Sequence, residues 1–394
     1  MSNKTIEVPL AKKPRLMFID MARSIAILLM LEGHFIEIVF EDFNPMIDTF
    51  KQNRTSGSFI FDSWYFIKGF TAPMFFSVTG IVFVFLLIDE KKFFENPRVK
   101  KGLRRSVELL FWGYLLQFNF RSFDKYLIGE FSSWTFAYHV LQSIGVGIAM
   151  LLLIYWLHKT IKLGSLAFYY FVVGTCIFIF YPDFKSMSQG TYFPQHAPEI
   201  IQNMFKGPYS VFPIIPWMAF TLYGGMVGAI VKKHKDNIKS YFFICLFIGT
   251  GVLLNGLSYP ICLQIDIIAK KMSISDNLNF VTNAWLYSRF GQILLVLGVL
   301  IFIEKIVTIK ENLFLKVGQN TLPIYVIHVI ILYGGIFGYG LNLWIGGQLN
   351  AVESVIGAII FIGFFVLMIK YWDYIENQWA SIKSKTFGFL KRKK

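Results

Sequence analysis

Cysteine is scarce in this chain, and so is charge. Three cysteines occur in 394 residues, Cys176, Cys245 and Cys262. All fall in or at the ends of apolar runs, where they read as small core hydrophobes, and their number and spacing exclude a disulfide framework and a CxxC metal pattern. Charged residues make up 16% of the chain against 55% hydrophobic, which excludes a string of soluble domains. The ~10-residue alternating segments of a transmembrane β-barrel are missing as well. What the chain has instead is apolar runs of roughly 20 residues from end to end, the length that crosses the ~30 Å hydrocarbon core of a bilayer, and 43 phenylalanines. The expected fold is all-α, a polytopic transmembrane helical bundle forming one integral-membrane domain over residues 1–394, with basic tails at 1–16 and 375–394. No cleavable signal peptide is expected, because the first apolar run is too long for one.

Ten spans are read at about 17–40, 63–88, 107–121, 136–157, 165–181, 212–231, 240–262, 284–304, 319–339 and 351–372. The net charge of +14 does not point to nucleic acid, because the basic residues sit in short loops beside the spans, as topology signals and anionic-lipid contacts do. On one side the tails and loops hold 27 Lys and Arg, on the other eight. This bias puts both termini in the cytoplasm. The opposite stretches, 41–62, 122–135, 182–211 and 263–283, are long and rich in Asp, Asn, Ser, Trp and Tyr. They suit a carbohydrate or another polar acceptor, and equally anchoring at the interface. The C-terminal Lys391–Lys394 run reads as a positive-inside anchor.

The first span carries charge where charge is costly, so its polar residues are functional candidates. Eleven residues of α-helix return almost to the starting face while rising ~16 Å, so Arg23 and His34 point the same way. Asp20, three residues before Arg23, can pair with it across one turn. Glu37, three residues after His34, is expected to orient the imidazole as a carboxylate does in base-assisted transfer. Glu32 points nearly opposite to His34, toward a second helix, a polar cavity or lipid. As bland alternatives, Asp20–Arg23 is a structural ion pair and His34 a hydrogen-bonded core histidine.

Other polar groups follow the same logic. His139 lies at the outer start of the fourth span, and His196 in the long outer stretch. His328 lies one turn after Tyr325, which suggests mutual contact. Arg289 with Gln292, and Lys68, could each neutralise a carboxylate or hold an anionic ligand, with structural pairing at least as good a reading. No metal-ligand spacing and no phosphate-binding loop is present, so no metal site is expected.

Five stretches in order carry a family resemblance. "RLMFIDMARSIAILLMLEGH" resembles the opening of the transmembrane acyltransferase superfamily, with its basic residue, ten intervening residues and histidine. "FTAPMFFSVTGIVFVF" resembles the second-span motif, and "VGQNTLPIYVIHVIIL" the late Tyr-x-x-His helix. "HVLQSIGVG" and "FPIIPWMAFTLYGGMVG" resemble the heparan-α-glucosaminide N-acetyltransferase-like branch, which is related to acyltransferase family 3. Two departures stand out: Ser24 follows Arg23 where glycine is common, and Ser143 follows Gln142 where arginine is common.

The resemblance implies transfer of an acyl group, acetyl being the usual cargo, from cytoplasmic acyl-CoA to a sugar or glycan acceptor on the outer face. It implies His34 as the catalytic base or acyl-handling residue, and Arg23, Gln142, Tyr325 and His328 match further family positions. With Glu37 beside His34, and with Asp20, Glu32, His139 and Arg289 read from the residues themselves, they complete the expected catalytic and substrate- and donor-binding set. Acyl-CoA is a co-substrate, and no bound cofactor is expected. Its charged head would dock among cytoplasmic groups such as Lys100, Lys101, Arg104 and Arg105. The remaining expected partners are membrane lipid, a carbohydrate acceptor and a second copy in a homodimer, with no nucleic acid. The location implied is the bacterial inner membrane. Two other readings compete: a secondary transporter using the His, Glu and Arg as a proton relay, and a non-enzymatic membrane partner.

Overall fold

The computed structural model describes residues 16–187, 194, 196–272 and 279–378. The basic tails therefore fall almost wholly outside the described residues, as do parts of the outer stretches 182–211 and 263–283. The described chain is helical. In order the helices are α1 (Met17–Val39), α2 (Phe43–Asn53), α3 (Phe59–Leu87), α4 (Pro97–Leu115), α5 (Phe123–Leu127), α6 (Val140–Ile161), α7 (Leu166–Met187) and α8 (Glu199–Phe205). There follow α9 (Ile214–Lys233), α10 (Tyr241–Lys271), α11 (Ala284–Ile306), α12 (Leu313–Gln319), α13 (Thr321–Tyr333), α14 (Asn342–Ile345) and α15 (Ala351–Lys370). Among the described residues β pairing is limited to isolated bridges, such as Phe40 with Leu349 and Asn119 with Ile336.

Among the described residues six helices are long and apolar enough to cross a membrane: α3, α6, α9, α10, α11 with its lead-in from Phe280, and α15. The pair α12 and α13 meets the same test as one unit, bent by 79° at its break. Of the ten expected spans, those at 17–40, 107–121 and 165–181 lack this support. The first carries Asp20, Arg23, Glu32 and Glu37. The third is α4, whose first half is strongly basic, and the fifth is apolar only over Leu166–Pro182 of α7.

The basic stretch 89–106, read from sequence as a loop, is largely helix. Asn96 accepts a hydrogen bond from the Arg98 amide at 2.8 Å and Pro97 occupies the first turn, the residue types that start helices. The polar sequence hid this helix because its exposed face is charged while Val99, Gly102 and Ser106 are buried.

At the centre lies α1, packed against α3, α11, α12, α13 and α15. Without a solvent to drive helices together, membrane bundles rely on close packing of small residues. In the α3–α9 crossing, a Cβ on Gly80 would strike the Thr221 carbonyl and one on Gly224 the Ser77 carbonyl. Ser77 adds a hydrogen bond to the Phe220 carbonyl at 3.1 Å. The cysteines depart from expectation: Cys262 is buried, but Cys176 and Cys245 face out of the bundle, where lipid tolerates a small apolar side chain as well as a core does.

Candidate active site

Serine at position 24 docks the inner half of α1. Its hydroxyl accepts from the Gly318 amide at 3.0 Å and donates to the Phe314 carbonyl at 2.6 Å, which holds α12 against α1. The chain then turns sharply at Asn320, and α13 runs on toward the outer half of α1. Arg23 pairs with Asp20 at 3.6 Å and reaches the Gln319 carbonyl at 3.5 Å, at the break itself. Position 24 thus does more than its mild departure from the family pattern suggests.

Eleven residues further along α1, His34 meets His328 of α13. The Nδ1 of His34 lies 3.1 Å from the Nε2 of His328, with the rings stacked at a 25° interplanar angle. Tyr333 places its ring edge-on to His34 and Tyr325 stands edge-on to His328. His328 is fully buried, while His34 is only half-buried. His139, the residue that opens α6, stands edge-on to the Trp134 ring.

The carboxylates go elsewhere than expected. Glu37 pairs with Lys68 of α3 at 2.9 Å, and the hydrogen-bond partner of the His34 ring is His328. Lys68 also lies over the rings of Phe43 and Trp64, and its stem lies along Gly33, where a Cβ would come within 3.2 Å of it. Glu32, on the far side of α1 from His34, accepts the indole N–H of Trp64. Of its three expected settings, the second helix is the one found.

An elongated cavity of about 250 Å³ opens along α4. Arg98, Lys101 and Arg105 of α4 line it together with Arg23, and its body is apolar, with Val78 and Val82 of α3 and Ile144 and Ile148 of α6. Tyr325 belongs both to its wall and to the histidine pair. The spacing of 98, 101 and 105 is one face of a helix. Of the basic residues expected to meet the donor, Lys101 and Arg105 line the cavity, whereas Lys100 and Arg104 lie on another face of α4 and do not.

A model of the acyltransferase domain of acyltransferase family 3 matches residues 17–370. The chain belongs to acyltransferase family 3. Among curated proteins none matches it. Family and apolar helices together make this an integral-membrane acyl-transfer enzyme.

Two further candidates of the acyltransferase lie differently from the sequence-based reading. Gln142 is fully buried, and both ends of its amide are used at the start of α6: its Oε1 accepts from the His139 amide at 3.3 Å and its Nε2 donates to the Ala137 carbonyl at 3.2 Å. Gln142 thus braces the backbone at the start of α6 and does not line the cavity. Arg289 bonds Gln292 at 3.0 Å on the flank formed by α3, α10 and α11, away from the cavity. His196 is exposed in the outer stretch. Sequence reasoning missed Tyr333, Arg98 and the Ser24 clasp. The helix-start signal at Asn96-Pro97 points to Arg98; nothing local points to Tyr333.

Proposed function

We propose that this enzyme moves an acyl group, acetyl for choice, from acyl-CoA on the basic side of the membrane to a hydroxyl or amine of a sugar or glycan on the other side. The observation that carries this reading is the cavity itself, a cationic rim leading through apolar walls to a tyrosine that touches the histidine pair. The nucleotide of CoA carries phosphates that cannot enter hydrocarbon, and Arg98, Lys101 and Arg105 supply counter-charge for them. The uncharged arm of the donor fits the apolar body and brings its thioester toward Tyr325.

His34 is then the base. A neutral imidazole has one N–H and one lone pair. In the tautomer with the His328 proton on Nδ1, His328 Nε2 accepts from His34 Nδ1–H, and the lone pair of His34 Nε2 is left for the acceptor. The acceptor O–H or N–H gives its proton to that nitrogen as its oxygen or nitrogen attacks the thioester carbonyl. The C–S bond breaks, and the leaving thiolate takes the proton from His34. Proximity of two bound substrates and this proton transfer supply the rate. Arg23 and Asp20 hold the α12–α13 break and the cavity wall in place.

The same reading makes α1 a span despite its charges. Each is satisfied inside the bundle: Asp20 with Arg23, Glu32 with Trp64, and Glu37 with Lys68. With α1, α4, α7 and the bent pair joining the six apolar helices there are ten spans, and both termini lie in the cytoplasm of a bacterial inner membrane.

The test is binding and turnover of acetyl-CoA by the detergent-purified protein. His34→Ala is expected to bind the donor as the wild type does and to lose transfer to a sugar acceptor by about 10²–10⁴-fold. Transfer undiminished in His34→Ala, or no affinity for acyl-CoA in the wild type, would overturn the reading.

A further inference from the structure

Three cations lie inside the expected spans away from their ends, Arg23, Lys68 and Arg289. The first two are paired with carboxylates, Asp20 and Glu37. The third is not: both described hydrogen bonds of Arg289 go to neutral oxygens, the Phe66 carbonyl and Gln292 Oε1, each at 3.0 Å. Its guanidinium rests on the Phe66 ring, 4.7 Å from the centroid, and on Gly69, where a Cβ would come within 2.6 Å of Nη2. An uncompensated charge at membrane depth is costly and calls for a partner.

The polar seam continues outward from Arg289. Gln292 Nε2 and Ser288 Oγ both donate to Asn255 Oδ1, at 3.0 and 2.8 Å. Asn255 is exposed midway along α10, among the exposed apolar residues Val252, Leu253 and Tyr259. Its amide N–H₂ takes no part in these bonds, and the neighbouring Gly256 opens onto free space. Four polar side chains thus share one seam on an otherwise lipid-compatible flank, where the Asn255 amide is exposed and Arg289 keeps guanidinium N–H groups beyond the two bonds described. Arg289 lies five residues into α11, ~8 Å from its start, a depth from which a long side chain reaches the headgroup layer.

We propose that the groove between α3, α10 and α11 binds the phosphate of a membrane lipid, with Arg289 and Asn255 as its donors and the acyl tails laid along the outer face of α10. A guanidinium fork matches two phosphate oxygens. The lipid, rather than free phosphate, is favoured because the groove opens onto a membrane-length apolar face. A second copy of the chain is a poorer occupant: the acid nearest on α10, Asp266, is buried and already accepts the Phe280 and Val281 amides at 2.6 and 2.9 Å.

Acyl transfer plays no part in this site, so its readout is binding. Full-length protein in nonionic detergent is titrated with phosphatidylglycerol, diacylglycerol and inorganic phosphate, and bound lipid is counted by native mass spectrometry. Phosphatidylglycerol is expected to bind at least about tenfold more tightly than either control, and Arg289→Gln to weaken it by about tenfold or more, as loss of a charge-assisted hydrogen bond does. Because Arg289 also braces α11 against α3, Asn255→Ala on the exposed face gives a second arm, with a smaller loss expected while Arg289→Lys retains part of the affinity. Equal affinity for phosphatidylglycerol and diacylglycerol, equal affinity for inorganic phosphate, binding untouched in both Arg289→Gln and Asn255→Ala, or a dimer captured through Asn255→Cys would each overturn it.

Discussion

His34 and His328 are 294 positions apart in sequence and 3.1 Å apart in space. Helical periodicity places Arg23 and His34 on one face of α1, and the spacing of Tyr325 and His328 places those two together. Periodicity says nothing of which residue on another helix meets either face. That is why Glu37, correctly placed near His34, was read as its orienter, when the nearest cation, Lys68, captures it from α3. The Glu37–Lys68 pair gives a residue-scale prediction. Removing one partner leaves the other charge unmatched, so Lys68→Met and Glu37→Gln are each expected to lower thermal stability, by about 1 kcal/mol because the Glu37 side chain is partly exposed. The double variant should recover a large part of that loss, the sign of coupling that contacting residues show. Losses that simply add would mean the two groups do not act on each other.

At the scale of elements, the apolar helices were legible and the polar ones were not. The spans now seen as α3, α6, α9, α10, α11 and α15 announce themselves by length and composition. α4 did not, because Lys and Arg fill its exposed face and the apolar contribution of Val99, Gly102 and Ser106 is small. Its helicity matters for the chemistry, since a helix selects which cations share a face. Charge reversal at Lys101 or Arg105 is therefore expected to raise the KM for acyl-CoA by about tenfold, the effect of losing one charge-assisted phosphate contact. The same change at Lys100 or Arg104, on another face, should leave KM within about twofold, since exposed charges at a distance are screened. Steady-state kinetics on the four single variants checks this, and an equal response at all four would mean that α4 acts by net charge and not by position. The break between α12 and α13 was equally hidden. The 319–339 run reads as one span, and its 79° bend at Asn320 depends on Ser24 and Arg23 contacting it from α1.

For the whole molecule, the class was plain from composition, while the number of spans was not, because the functional helix looks least like a membrane helix. The charges that make α1 interesting are the ones that fail it on apolar length, and their partners, Trp64 and Lys68 on α3 and the Asp20–Arg23 pair within α1, reconcile the two. Both termini are expected on the side that carries the 27 basic residues. Cysteines introduced at either end should react with a membrane-impermeant maleimide only after the membrane is opened from the cytoplasmic side; labelling of one end in intact cells would reduce the spans to an odd number. The central claim is that an acyl group passes from one face to the other through the neighbourhood of His34. Proteoliposomes with labelled acetyl-CoA confined to the side of α4's basic rim and a sugar acceptor on the opposite side measure it directly. Labelled acceptor is expected to accumulate with the wild type and to fall to background with His34→Ala. Equal accumulation with His34→Ala, or labelling that requires donor and acceptor on the same side, would contradict the account.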